Sequence, residues 1–196
     1  NPFNQRSIFY IIILIASVII HEVAHGRVAY ALGDTTAKYA GRLTLNPLRH
    51  IDPFGSVILP ALLAFSGAGF VIGWAKPVPY NPANLSNQKW GPVLVASAGV
   101  LVNLAIAILF SIFIRVATAT GVASSDFLFI MTTIVLTNLV LGVFNLIPIP
   151  PLDGSRILFG LLGPRARALR RLPALRRARR GRCRGAAPAE ARPQRL

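Results

Sequence analysis

The sequence predicts an all-α polytopic membrane protein with three core transmembrane helices and one broken apolar segment. Its 196 residues are 54% hydrophobic and only 14% charged, with a mean hydropathy of +0.58, a balance unlike that of an ordinary soluble domain. The apolar residues are also gathered into long runs, and a helix needs about 20 such residues to cross a bilayer. Because polar residues are scarce in these runs, those that do occur are candidates for function.

The first apolar run predicts one long helix from Ser7 to about Leu32. It is nearly pure hydrocarbon as far as Ile20, and Gly33 supplies the usual C-terminal stop. A cleaved signal peptide is the alternative for such a run, but no cleavage site with small residues follows it.

The motif H-E-V-A-H, formed by His21, Glu22 and His25, lies at the end of this run. Residues four apart share one face of a helix, so the two imidazoles can bind one metal ion beside Glu22, which can act as a base. Ionisable groups in a membrane segment are costly and normally mark function. These residues indicate a zinc hydrolase site built inside a bilayer.

A zinc hydrolase usually needs a third protein ligand and keeps one position open for water. The candidates in this chain are His50, Asp34, Asp52, Asp126 and Asp153. We favour Asp153, which follows a late membrane helix on a chain stiffened by prolines. Asp34 and Asp52 adjoin Gly or Pro and are typical turn residues, and His50 is more typical of a loop or supporting position.

The stretch after the first helix is predicted to be less regular. Residues 38–45 could form a short strand or β-hairpin near the active site. Residues 54–72 form a second apolar segment, but Pro60, Gly67 and Gly69 break it. We expect this segment to be re-entrant or shallow rather than a full crossing.

Two uninterrupted apolar runs predict the remaining transmembrane helices, one over Gly91 to Val116 and one over Phe127 to about Ile147. The prolines that follow the second run predict an extended chain carrying Asp153. His21 and Asp153 must meet at one metal, so their two helices must run parallel. Four full crossings would make them antiparallel, which is why the broken segment is the one expected not to cross.

The distribution of basic residues predicts the orientation. With a re-entrant second segment, five basic residues lie on the active-site face and two on the opposite face, which places the active site toward the cytoplasm. The five are Lys38, Arg42, Arg49, Lys76 and Lys89, and the two are Arg6 and Arg115.

The C-terminal region differs in composition. Twelve of the 21 basic residues lie between Arg165 and Arg195. We predict a membrane-embedded metalloprotease domain over 1–163 and a disordered Arg/Ala/Pro-rich tail over 164–196 that contacts anionic lipid headgroups. No aromatic interleaving or recognisable module accompanies these charges, so no nucleic-acid partner is expected.

Several motifs together resemble one family. H-E-V-A-H near the end of a membrane helix and N-L-I-P-I-P-P-L-D-G at 145–154 are similar to the site-2 protease family of intramembrane zinc metalloproteases. Further stretches at 41–47, 73–79 and 98–103 resemble its compact bacterial branch. The resemblance covers about residues 8–160 and implies an integral protein of the bacterial plasma membrane.

The resemblance implies a role for each site residue. His21, His25 and Asp153 would bind one Zn²⁺ per chain, and Glu22 would be the catalytic carboxylate. Asn145 is open between two interpretations, because it could orient the substrate backbone or the oxyanion, or it could be an ordinary amide at a helix end.

The predicted function is therefore an intramembrane zinc endopeptidase for regulated proteolysis in or near transmembrane segments of membrane protein substrates. One alternative is a proton or metal-ion transporter, which the absence of repeated halves makes less attractive. The other is a non-catalytic membrane adaptor. It stays open because the Arg-rich tail stands where compact-branch relatives generally carry another hydrophobic segment. The sequence does not indicate the oligomeric state.

Overall fold

The structure, a computed structural model, describes residues 5–59, 62, 63, 66 and 75–162. The tail predicted over 164–196 lies outside these residues. The helices are α1 (Gln5–Ala31), α2 (Thr36–Tyr39), α3 (Gly91–Ala119), α4 (Ser125–Leu146) and α5 (Asp153–Leu161). Short helical turns of other types are Pro47–Arg49, Pro53–Ile58 and Pro82–Asn84.

Three of these helices are long and apolar enough to cross a membrane. The spans are 24 residues of α1 from Ile8 onward, 29 residues of α3 and 22 residues of α4. Many of their large apolar side chains face outward and are exposed, as expected where lipid rather than water surrounds them. The prediction of a helical protein with three long membrane-type helices is confirmed.

The relative directions of the helices follow from their contacts. Tyr10 near the start of α1 packs edge-on against Phe129 near the start of α4, with ring centroids 5.5 Å apart. Further along both helices, the Asn138 amide donates a hydrogen bond to the Ser17 hydroxyl at 3.0 Å. The start of α1 therefore packs against the start of α4, and the middle of α1 against the middle of α4. The two helices run parallel, as the predicted sharing of one metal requires.

The end of α1 is fixed by a left-handed residue and a buried carboxylate. Gly33 has φ +102°, which ends the helix as predicted. Asp34 is fully buried, and its Oδ1 accepts hydrogen bonds from the Thr36 amide and hydroxyl at 3.1 and 2.5 Å. The Asn84 side chain also donates to Oδ1, at 3.0 Å, and the Asn81 amide donates to Oδ2, at 2.6 Å. Asp34 therefore joins the end of α1 to the loop before α3.

The predicted strand or hairpin over residues 38–45 is not found. The described residues contain no strand, and this stretch instead begins inside the one-turn helix α2. Gly41 then turns the chain with φ +64°, and the Arg42 amide donates to the Ala37 carbonyl at 3.0 Å. A left-handed turn at Gly41 breaks the alternation that a strand needs.

The second apolar segment lies in part outside the described residues, so its predicted re-entrant or shallow path is not observed. Its first residues form the π-helical turn Pro53–Ile58, whose start is capped by the Asp52 carboxylate through the Gly55 amide at 2.7 Å. The chain on either side of the segment comes together, because the Lys76 amide donates to the His50 carbonyl at 2.8 Å.

The segment after α4 differs from its predicted form at one point. The chain is irregular from Ile147 to Leu152, but Asp153 is the first residue of the helix α5 rather than part of an extended chain. Acidic residues suit the first turn of a helix because the amide dipoles there point their positive ends toward them. The prolines of this stretch all precede position 152, so they stiffen the approach to α5 and leave the helix intact.

Candidate metal centre

Three buried side chains meet between α1 and the start of α5. His21 Nε2 lies 3.0 Å from His25 Nε2, and Asp153 Oδ2 lies 3.1 Å from the former and 3.0 Å from the latter. Each residue is 6% exposed. The structure thus brings together the two predicted histidines and the favoured third candidate. Asp153 follows His21 by 132 residues and His25 by 128 residues in the sequence.

The donor set fits a zinc ion. Tetrahedral zinc with bonds of about 2.0–2.2 Å to nitrogen and oxygen holds its ligand atoms roughly 3.3 Å apart, close to the observed separations. When both Nε2 atoms are free of protons, the two nitrogens and the carboxylate oxygen are mutually repulsive acceptors at this distance, and a cation between them removes that repulsion. Such a zinc ion would keep a fourth position open for water.

The two imidazoles are oriented by one face of α3. The His25 ring donates from Nδ1 to the Val95 carbonyl at 2.7 Å, and the Asn103 amide lies 3.2 Å from His21 Nδ1. Between them, a Cβ atom at Gly99 would lie 2.5–2.6 Å from the rings of both histidines. Gly99 therefore permits the close approach of α3 to α1, and both histidines turn their Nε2 atoms toward Asp153.

Asp153 is held in place by its own helix and by a close backbone contact. A Cβ atom at Gly154 would overlap the Leu146 carbonyl, so the small residue lets α5 begin directly beneath the end of α4. The Arg156 guanidinium lies 3.6 Å from Asp153 Oδ1 and stacks over the Tyr80 ring at 5.6 Å. Asp153 Oδ2 consequently faces the histidines, while Oδ1 faces the Arg156 guanidinium.

Glu22 follows His21 directly in α1 and contacts a stretch without regular secondary structure that we call the strap, residues 75–80. The Val78 amide donates to Glu22 Oε2 at 3.0 Å. Pro77 and Pro79 flank Val78 and have no amide hydrogen, so Val78 is the donor that this part of the strap offers. Gly26 makes room for the strap, since a Cβ atom there would lie 2.7 Å from Val78 Cγ1.

The other candidates for the third ligand lie elsewhere. His50 is 2% exposed in the loop after the turn Pro47–Arg49, and its Nε2 faces the Thr44 carbonyl at 2.8 Å. Asp126 is in the first turn of α4, whereas Asp153 lies near the other end of that helix, where Gly154 packs against Leu146. Asp34 and Asp52 act at turns, as predicted, although the burial of Asp34 and its tertiary contacts exceed a simple turn role.

The hydrogen bonds to Asp34 also affect its protonation. Burial by itself raises the pKa of the Asp34 carboxyl, but the hydrogen bonds from Thr36, Asn84 and Asn81 stabilise the charged form more strongly. The net result is a pKa below its ordinary value.

Asn145 lies near the end of α4, where its amide donates to the Leu141 carbonyl of the same helix at 2.9 Å. Its predicted role toward a substrate or oxyanion therefore stays a prediction.

Four residues that shape the site were not singled out individually from the sequence: Val78, Val95, Gly99 and Asn103. Asn103 carried a signal that could have found it, because a fully polar side chain inside an apolar membrane run normally has a specific partner. Val95 and Val78 act through backbone atoms, for which side-chain patterns give no signal.

Comparison with known proteins identifies the family. A family model described as Peptidase family M50 matches residues 113–176. The chain is 41% identical over 170 residues to "Putative zinc metalloprotease YwhC" of Bacillus subtilis (strain 168), covering 82% of this chain and 72% of that protein. The chain belongs to peptidase family M50. The predicted resemblance to site-2 proteases is thereby confirmed.

Two mycobacterial relatives extend the comparison. "Putative zinc metalloprotease Rip2" of Mycolicibacterium smegmatis is 33% identical over 174 residues, which cover 84% of this chain and 60% of that protein. The protein of the same name from Mycobacterium tuberculosis (strain H37Rv) is 33% identical over 173 residues, with shares of 84% and 62%. The chain thus spans about three fifths of these M50 relatives. No solved structure matches it.

Membership of the M50 family makes the chain a zinc metalloprotease with membrane-spanning helices, as the sequence predicts. Zinc is the implied metal, and His21, His25 and Asp153 form a group able to hold it. The family also favours a protease over the transporter and adaptor alternatives.

Proposed function

We propose that this M50 protein is an intramembrane endopeptidase that cleaves peptide bonds in or near transmembrane segments of membrane protein substrates. One observation carries the proposal. The group formed by His21, His25 and Asp153 is buried among helices long and apolar enough to span a bilayer, and both histidines lie within the first span. A hydrolytic site at that depth favours substrates that are themselves in the membrane.

In this proposal each site residue has one task. His21, His25 and Asp153 hold the zinc. When bound, zinc supplies Lewis acidity, which polarises the scissile carbonyl and makes water more acidic. Glu22 accepts the proton from the attacking water and delivers it to the leaving amine.

The contact with the strap supports this role for Glu22. Because Oε2 accepts the Val78 amide at 3.0 Å, the carboxylate has a fixed direction beside the three-residue group. We assign proton transfer to Oε1.

The substrate must expose a carbonyl before attack, because helical carbonyls are engaged in hydrogen bonds to the residue four positions later. A protein segment near the site that pairs with the substrate in an extended form can compensate the bonds that a substrate loses as it unwinds. The strap meets this need better than residues 38–45, which form a helix and a turn. Asn145 at the end of α4 remains our candidate for contact with the substrate backbone or oxyanion.

We further propose that the active-site face lies in the cytoplasm of a bacterial cell, with the protein in its plasma membrane. The loops at 32–36 and 80–86 are joined, since the Ser86 amide donates to the Leu32 carbonyl at 2.8 Å. Together with the His50–Lys76 contact, this supports a second apolar segment that enters and leaves on one face. The basic residues of these loops favour the cytoplasmic side.

The experiment uses the full chain purified in detergent, with zinc content measured alongside cleavage of a model transmembrane substrate. Wild type should contain one zinc per chain and cleave within or beside the apolar segment, as mapped by mass spectrometry. Glu22→Gln should keep its zinc, because Glu22 is not a ligand and the Gln carbonyl can still accept the Val78 amide. It should lose cleavage, because an amide cannot accept the proton of the attacking water. His25→Ala should lose both zinc and cleavage.

The controls separate the parts of the proposal. Substantial cleavage by Glu22→Gln would remove Glu22 from the assigned role, and full zinc occupancy in His25→Ala would mean that the metal binds elsewhere. A soluble peptide with the same cleavage sequence tests the membrane requirement. If wild type cleaves only that peptide, or cleaves the model substrate only in its aqueous flanks, the intramembrane assignment is wrong.

A further inference from the structure

One face of α3 carries three residues that contact the metal-binding histidines. Val95, Gly99 and Asn103 are spaced four apart, so they lie one above another on the same side of the helix. Val95 offers its carbonyl to His25, and Gly99 lets the two helices approach. Asn103 contacts His21 through its side chain, unlike Val95 and Gly99.

We propose that Asn103 is a positioning residue for the zinc, with its side-chain oxygen accepting a hydrogen bond from His21 Nδ1. The inference rests on the proposed assignment of His21 as a zinc ligand. A histidine that binds metal through Nε2 carries its proton on Nδ1, and the partner at Nδ1 must then be an acceptor. Asn103 is the residue that faces His21 Nδ1.

The hydrogen bonding of the Asn103 amide supports this assignment. Asn103 is fully buried, and its nitrogen lies 3.2 Å from His21 Nδ1. Its Oδ1 is a buried atom with no hydrogen-bond partner among the residues that the structure describes. In this orientation the Asn103 nitrogen donates to Nδ1, so the His21 ring carries its proton on Nε2. A ring in that tautomer cannot bind zinc through Nε2. A 180° turn of the amide brings Oδ1 to Nδ1 and serves the tautomer that can.

The two histidines are therefore oriented by equivalent means. The Val95 carbonyl selects the Nδ1-protonated form of His25, and the Asn103 carbonyl selects the same form of His21. Both Nε2 atoms are then free of protons and point at Asp153 Oδ2. A backbone carbonyl cannot be removed by substitution, whereas the Asn103 side chain can, which makes the second orientation testable.

The test measures the zinc dissociation constant of the full chain in detergent by competition with a chromophoric chelator, independently of proteolysis. Asn103→Leu keeps the approximate shape but removes the acceptor, and it should weaken zinc binding about 10- to 100-fold. Asn103→Asp keeps only acceptors, and it should bind zinc at least as tightly as wild type. The pair Asn103→Thr and Asn103→Val repeats the comparison with smaller side chains, and the Thr variant should bind more tightly.

Asn138 provides the matched control, because it is also fully buried in a membrane-type helix but contacts Ser17 instead of a histidine. Asn138→Leu should leave the zinc dissociation constant unchanged. The inference is overturned if Asn103→Leu binds zinc as wild type does, or if Asn103→Asp is weakened as much as Asn103→Leu, since the amide would then act as a donor or as packing.

A variant of His21 separates this inference from the proposed site. If His21→Ala retains full zinc, the assignment of the ligands fails. If His21→Ala loses zinc while Asn103→Leu keeps wild-type affinity, only the role of Asn103 fails.

Discussion

Substitution of Gly99 by alanine should release zinc while leaving the helices in place. The added Cβ would lie 2.5 Å from His21 Cε1 and 2.6 Å from His25 Nε2, whereas ordinary contact begins at 3.4 Å. The rings or the helix α3 must therefore shift by about 0.8–0.9 Å, several times the roughly 0.2 Å tolerance of a metal–ligand distance. Either shift also strains the contacts of the rings with Val95 and Asn103.

The expected loss of zinc affinity for Gly99→Ala is about 100-fold, the upper end of the cost of losing an outer partner of a ligand. The fold should tolerate the change better. Alanine favours a helix by about 1 kcal/mol over glycine, which offsets part of an overpacking cost of about 1–3 kcal/mol. Zinc competition and thermal unfolding in detergent, measured on the same preparation, separate the two effects.

Gly142→Ala on α4 is the control for this experiment. A Cβ atom there would lie 3.4 Å from Leu104 Cδ2, an ordinary contact, so zinc affinity should not change and stability should stay equal or rise slightly. The reasoning is refuted if Gly99→Ala binds zinc within about threefold of wild type. It is also refuted if Gly142→Ala loses zinc to the same extent, because the effect would then be general to helix packing.

The other predictions concern the loops and the topology. Asp34→Asn should lower the free energy of unfolding by about 1–3 kcal/mol, because an amide nitrogen would face a backbone donor, and thermal unfolding in detergent measures the loss. Because the pKa of Asp34 is lowered in the folded protein, its stabilisation is present above the unfolded value of about 4 and is lost progressively below it. The difference in unfolding free energy from Asp34→Asn should therefore shrink as the pH falls below about 4, and a constant difference would contradict this role. For the topology, single cysteines are placed at Thr36, Asn84 and Ser124 in a Cys183→Ala background and treated with an impermeant thiol reagent on intact cells. Only the cysteine at 124 should be labelled. Unequal labelling at 36 and 84 would show that the intervening segment crosses the membrane.

The sequence predicted those features of the fold that depend on composition over many residues. Three apolar runs of sufficient length became α1, α3 and α4, and Gly33 ended α1. The prediction of a strand at 38–45 was wrong, because the conformation of a short polar stretch is set by its turn residue and its neighbours. Here these are Gly41 and the hydrogen bonds around Asp34. Local propensity is a weak guide wherever tertiary contacts compete with it.

The metal site was predictable to a different degree. His21 and His25 follow from a spacing that any helix turns into one face. Asp153 was favoured because it follows a late membrane helix on a chain stiffened by prolines, and the family resemblance implied the same residue. The residues that orient them did not follow, because Val95 and Val78 act through backbone atoms 50 or more residues away along the chain. Gly99 is visible as important only once α3 is known to lie against the histidines.

The position of α3 explains why a site assembled from α1 and α5 needs a third helix. α1 supplies His21 and His25, but one helix leaves both rings free to rotate about their side-chain bonds. α3 runs antiparallel to α1, so its positions 95 and 103 fall beside residues 25 and 21 in reverse order, and each ring finds one partner. If the proposed site holds zinc, its binding depends on packing between α1 and α3, and changes that separate these helices should release the metal before they unfold the protein.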